Sequence, residues 1–357
     1  MPARRVAHRR IALLAGFLGI AALSGCLYGP PYDQLLTGDE ALIEFAGERY
    51  TDARDRVAVA AIDGDRVRTA FVSADAGTSF ELGSATRGMT GLLLADAIDR
   101  GEVALDDPIG AYLDLDGAPA SEVTLRDLAT HHSGLPQTPL GPGAWEPLAP
   151  DAESSDPPDR GGLDALLARV SKIDPVPELD YNPSDFDAAL IGEALASAAG
   201  TRYADLLAER ILDPVGMEHA VVVESHELIP SSLAQGHDRH GERVSSRGSG
   251  AYAPATGLVV TIEDLIALAR AVLDGPLSDS AALEPIAETR WPQITIGCFW
   301  ERYADDDVQV DYIVGSSHGF TAAIVIDREG GRARMLLSNA ETVWPWSLLR
   351  PLMTMPG

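Results

Sequence analysis

The chain has 357 residues, 46% of them hydrophobic, and a formal net charge of −27. That length and apolar share suffice to bury one large core or two closely packed domains, while so acidic a surface repels nucleic acid and anionic lipid headgroups. The only cysteines are Cys26 and Cys298, and the only lysine is Lys172.

The first 25 residues form a segment of their own. Arg4, Arg5, Arg9 and Arg10 make a basic start, and an apolar run over 11–23 follows. The run is short for a membrane span and typical of a secretory signal peptide. It ends in Leu23, Ser24, Gly25 and Cys26. Small residues ahead of a cysteine resemble the bacterial lipobox, which implies lipid on Cys26 and anchoring to the outer face of the bacterial cytoplasmic membrane. An ordinary signal peptide beside a chance cysteine is the alternative reading. Loss of the four arginines deepens the charge of the mature chain to −31. Arg9 and Arg10 leave open whether export is general secretory or twin-arginine. With Cys26 lipidated no disulfide is expected. Cys298, in the apolar run 294–300, is expected to be buried and inert.

Residues 26–45 read as a tether leading into a first helix, with Gly29, Pro30 and Pro31 as a stiff spacer. Apolar runs at 56–62 and 66–72 flank Asp63-Gly64-Asp65 and predict a β-hairpin. A helix is predicted after Ser84, with Met89, Leu93 and Ala97 at helical spacing and Gly101 past its end. Between 105 and 249 the pattern is helices and loops, with helices near 185–199 and 203–212. Residues 134–162 hold seven of the 24 prolines and read as a long surface excursion. Thr261, with Asp264 three residues on, caps a helix reaching Leu273. Strand-like runs follow at 293–300, 308–314, 321–327 and 332–338, the last two joined by a turn at 328–331. Strands at both ends around a helical insertion predict an α/β fold of the α+β type. A single antiparallel sheet with flanking helices spans 46–104 and 250–345, and a helical subdomain spans 105–249.

Six blocks carry a resemblance. FELGSATR at 80–87, GEVALDDPIGAYL at 101–113, VTLRDLATHHSGLP at 123–136, GTRYADLLAERILDPVGM at 200–217, 256–275 and 318–339 occur in one order. Together they resemble the serine β-lactamase-related family: class C β-lactamases, penicillin-binding proteins, D-alanyl-D-alanine carboxypeptidases and esterases. The resemblance implies a cleft between sheet and helical subdomain where a serine attacks a carbonyl. A lysine one helical turn later and the tyrosine of Tyr-x-Asn take its proton, and a Lys or His of (Lys/His)-x-Gly completes the pocket.

On that alignment the serine is Ser84, at the head of a helix that favours developing negative charge. The lysine position holds Arg87, whose guanidinium does not deprotonate and so serves only as a fixed charge, or as a fork for a ligand carboxylate. Lys172 is far away in sequence and is expected on the surface. Tyr-x-Asn aligns with Pro183, Ser184 and Asp185, so the tyrosine is lost and Asp185 stands at the asparagine. Tyr181 is either a packing residue or a contact reaching into the site. (Lys/His)-x-Gly aligns with Ile313, Val314 and Gly315; Tyr312 points to the other face of the strand. Gly315 remains, and a backbone N–H of Ser316 or Ser317 can close an oxyanion hole. His318 is the one nearby residue able to improvise as a base, with a solvated rim histidine as the plainer reading. His131 and His132 are expected to support a loop. His237 and His240 sit in what reads as a surface hairpin loop without further ligands, so no metal is expected, and no cofactor. The expectation is an exported lipoprotein with slow serine acyl transfer on an ester, amide or peptidoglycan-like substrate. The alternative is a non-catalytic module that binds a cell-wall peptide, a β-lactam-like molecule or a partner in the old cleft.

Overall fold

Two apolar runs from opposite ends of the chain, VAVAAID and RARMLLS, lie side by side and join the termini into one sheet. The structure is a computed structural model that describes residues 34–137, 161–176, 181–341 and 345–357. Cys26, the signal segment and the centre of the Pro-rich excursion lie outside the described residues. The strands are β1 (Leu36–Gly38), β2 (Val57–Asp63), β3 (Arg66–Val72), β4 (Phe80–Glu81), β5 (Val221–Val222), β6 (Leu258–Val260), β7 (Ala287–Glu288), β8 (Ile294–Ile296), β9 (Glu301–Ala304), β10 (Gln309–Ser317), β11 (Phe320–Asp327) and β12 (Arg332–Ser338). The helices are α1 (Glu40–Gly47), α2 (Arg87–Asp99), α3 (Leu125–Ala129), α4 (Leu163–Val170), α5 (Asp185–Ala199), α6 (Tyr203–Leu207), α7 (Asp213–Val215), α8 (Ala253–Thr256), α9 (Ile262–Leu273) and α10 (Leu349–Met353).

Nine strands form an antiparallel sheet in the order β1-β3-β2-β12-β11-β10-β9-β8-β7, and β4-β6-β5 form a small second sheet. The central strands are apolar almost throughout because both faces are covered. Alternate residues enter two cores. Ala58, Ala60, Ile324 and Leu337 meet the helical layer with α2, α5 and α9. Val57, Val59, Val325 and Leu336 meet α1 and α10 through Leu42 and Leu352. The α9 capping box forms as expected, Thr261 and Asp264 exchanging bonds to each other's N–H.

The structure differs from the expected boundaries in three places. The tether is not free over its last residues: β1 pairs with β3 and α1 packs on the outer face, so the folded unit reaches back before residue 46. It also runs past 345, since α10 brings Leu352 and Met355 into that same core. The run 293–300 is not one strand: β8 ends at Ile296, and β9 begins at the charged stretch ERYA.

Candidate active site

Ser84 sits where the two sheets and α2 converge. β4 pairs with β6 through Phe80 and Glu81. Gly83 then turns the chain at φ +53° into a 3₁₀ turn, Gly83–Thr86, that runs on into α2. The turn docks on β10. β9 pairs only with Gln309–Tyr312 of that strand, so the outer edge of 313–317 is left to it. The approach is close enough to demand glycine on both sides. A Cβ on Gly83 would lie 2.3 Å from the Ser316 carbonyl carbon, and one on Gly315 would lie 2.1 Å from the Ala85 nitrogen. The result is a hydrogen bond from Ser316 N–H to Ser84 Oγ at 3.3 Å. Among the described residues it is the only hydrogen bond Ser84 Oγ makes. Ser84 also lies in the first turn, where N–H groups have no acceptor within the helix. One backbone donor is thus aimed at the hydroxyl, and the Ser84 N–H is the candidate for the second donor that an oxyanion site requires.

The acid–base side differs. Arg87 Nη2 donates to Asp185 Oδ1 at 2.6 Å, with the side chains 15% and 10% exposed. Asp185 is the first residue of α5, and Ser184 caps that helix by accepting the Phe186 N–H. One donor of the Arg87 fork is therefore engaged by a carboxylate of the chain, while its Nε is buried without a hydrogen-bond partner. Tyr181 is 2% exposed and its hydroxyl donates to the Glu301 carboxylate, so it serves the interior and does not reach Ser84. Glu301 faces Tyr312 across β9 and β10 and bonds it too. Burial raises the Glu301 pKa. Lys172 is exposed beyond α4, in a surface groove with Asp114, Asp116 and Asp164.

A buried polar cluster behind Arg87 was not legible in the sequence. His131, at φ +61°, places Nδ1 2.6 Å from Asp187 Oδ2, and Ser133 Oγ donates to Asp187 Oδ1 at 2.5 Å. Burial drives the Asp187 pKa well above the usual carboxylate range. Burial, then the Arg87 charge, drives the His131 pKa well below that of a free imidazole. Both shifts disfavour the charged forms, and neither group hydrogen-bonds Ser84 among the described residues.

His318 follows β10 and is about half exposed, its Nδ1 3.4 Å from Glu341 Oε2. That contact raises its pKa, with Asp238 and Glu81 adding to the effect. Among the described residues it makes no hydrogen bond to Ser84. Ser317 Oγ donates to Glu81 at 2.6 Å. Cys298 is buried and its thiol pKa is pushed up to about 12 by desolvation. His237 is buried against Asn339 rather than exposed on a hairpin. Among the described residues no three His, Cys, Asp or Glu side chains are grouped to hold a metal.

The Beta-lactamase family matches residues 46–348. The chain is 31% identical over 153 residues to the D-alanyl-D-alanine-carboxypeptidase/endopeptidase AmpH of Escherichia coli K12, covering 40% of this chain and 37% of that protein. It is 26% identical over 243 residues to a beta-lactamase of Pseudomonas fluorescens, covering 66% and 63%. These matches span less than two thirds of either relative. In three dimensions the class C beta-lactamase of Rhodobacter sphaeroides superposes with a TM-score of 0.71 at 21% identity, covering 88% of this chain and 97% of that one. The mixed architecture, with its antiparallel sheet and flanking helices, is the fold of those enzymes. The extent of the family match, most of the folded chain, makes this protein a member of the beta-lactamase family.

Proposed function

We propose that the protein is a weak acyl-transfer serine hydrolase of the cell envelope, in which Ser84 attacks reactive esters, amides or peptidoglycan-like acyl donors slowly. One observation carries the reading: Ser84 Oγ has a backbone donor, Ser316 N–H, and no proton acceptor among the described residues. Arg87 stands one helical turn on as a permanent cation, locked to Asp185. Loss of a general base costs about 10²–10⁴ in rate. Backbone oxyanion donors and binding alone leave roughly 10³–10⁴ over water. The hydroxyl oxygen bonds to the carbonyl carbon and its proton passes to solvent, so acylation favours good leaving groups. The carboxypeptidase name of one relative makes a D-alanyl peptide a natural acyl donor to test. Lipid on Cys26 would hold the domain at the outer face of the cytoplasmic membrane, near such peptides.

The buried Arg87–Asp185 pair favours a second reading, a cleft that only binds. Incubation of the purified protein and its Ser84→Ala variant with a fluorescent penicillin and a p-nitrophenyl ester separates the two. Ser84-dependent labelling or turnover is expected. Equal signals from both proteins leave the binding reading standing and overturn the proposal.

A further inference from the structure

We propose that a second cavity, walled by Arg54, Arg56, His237, Arg243 and Asn339, is a binding site for a phosphate-bearing ligand. The cavity measures about 370 Å³, within the range of small-molecule sites, and no acidic side chain lines it. Neither Ser84 nor Ser316 lines it, and it is independent of the acyl-transfer reading. On a chain carrying a net charge of −27, three guanidinium groups around one cavity run against the charge of the rest of the surface. An anion entering there exchanges water for fixed cations, which a surface repelling anions elsewhere does not offer.

The walls are held in place from behind. Asn339 is 1% exposed. Its Oδ1 accepts the Arg56 N–H at 2.7 Å, and its Nδ2 donates to the Gln235 carbonyl at 2.6 Å and the Arg54 carbonyl at 3.1 Å. One buried amide thus ties the segment before β2 to the segment carrying His237. Arg54 binds Asp52 through Nε and Nη2, and Nη1 donates to the Gly241 carbonyl, so three of its five donors are engaged, one of them on the loop that carries Arg243. Arg56 spends Nη1 on backbone carbonyls of its own segment and forms no ion pair among the described residues. Arg243 is exposed and makes no hydrogen bond or ion pair among the described residues. The donors with the fewest ties inside the fold are therefore the Arg243 fork and the outer edge of Arg56. Planar forks of this kind bind phosphate oxygens in pairs, which a lysine ammonium does not do. Ser73, also in the wall, holds φ +46°, a strained backbone for a residue with a Cβ of the kind that clusters at ligand sites. The surrounding positive charge is visible at His237, whose pKa is lowered by burial and then by Arg54.

Calorimetric titration of the full-length protein in detergent with inorganic phosphate, and with glycerol 3-phosphate, tests the site. Saturable binding is expected, weakened on the order of tenfold by Arg243→Ala and again by Arg56→Ala, as loss of a charge-assisted bond implies. Arg66→Ala, an exposed arginine on the β2–β3 hairpin, should leave affinity unchanged. Arg243→Lys should bind between wild type and Arg243→Ala. Because Arg243 has no partner among the described residues, its variants are expected to keep the wild-type melting temperature. Flotation with phosphatidylglycerol against phosphatidylcholine vesicles assigns the source. Arg243-dependent capture by phosphatidylglycerol, not displaced by glycerol 3-phosphate, identifies a lipid headgroup, and displacement identifies a soluble phosphate. Absence of saturable phosphate binding, or equal affinity in wild type and Arg243→Ala, overturns the proposal.

Discussion

The two sides of the Ser84 cleft are built from different materials. On one side the 3₁₀ turn and β10 meet through backbone, with glycine at both faces of the contact and an N–H aimed at the serine oxygen. On the other, side chains face one another in closed pairs: Arg87 with Asp185, His131 with Asp187, Tyr181 with Glu301. The difference teaches what main chain alone can hold in place and what side chains must supply. An oxyanion site made of main chain persists as long as the turn packs closely. Proton transfer depends on particular side chains, and here their neighbourhood is filled by side chains already paired with one another.

Three substitutions sharpen that contrast. The largest effect is expected from Gly315→Ala. Its Cβ meets backbone rather than a side chain that can move, so the turn and β10 must separate. A loss of about 3 kcal/mol in stability is expected from overpacking, together with loss of any Ser84 labelling, read by urea denaturation and by gel fluorescence. Asp185→Ala comes next. It leaves a mostly buried guanidinium unpaired, and a loss of about 2 kcal/mol is expected, at the low side of broken buried pairs because both groups retain some water contact. Ser84 labelling should survive this change, since the backbone side of the cleft does not depend on Asp185.

The smallest effect is expected from Asp187→Asn, and it depends on pH. Burial raises the folded-state pKa of this carboxyl above its ordinary 3.8. Its contribution to stability is then full below the unfolded value, where both states hold the proton. It falls as pH rises toward the folded pKa, because the unfolded chain ionises first. Asparagine has no such loss. The variant should cost under about 1 kcal/mol at pH 4 and become more favourable relative to wild type by pH 8. The opposite trend in urea unfolding would mean an ionised Asp187 paired with a charged His131.

Local signals in the sequence fixed the long elements well. Thr261 marks the start of α9, and Asp63-Gly64-Asp65 marks the β2–β3 hairpin, because caps and turns act over three or four residues. The paired groups behind the cleft left no such signal. Asp187 lies 56 residues from His131, and Glu301 lies 120 residues from Tyr181. No local pattern ties either member of a pair to its partner. β9 lay just past the strand-like run at 293–300: Glu301 faces Tyr312 inside the protein and Arg302 bonds Asp311 on the neighbouring strand. Arg87 was legible as a cation that cannot act as a base, but its partner Asp185, 98 residues on, was not legible as one.

The pH dependence of Ser84 acylation bears most directly on the central claim. The rate of p-nitrophenyl ester cleavage is measured for wild type and for Ser84→Ala, and the difference is followed from pH 6 to about pH 9, across the window where a histidine or perturbed carboxylate base titrates. Without a side-chain base the Ser84-dependent rate should climb in proportion to hydroxide, without a plateau, and His318→Ala should leave it unchanged. A plateau with a midpoint inside that range, or its loss in His318→Ala, would show that a titrating group takes the serine proton and would contradict the account.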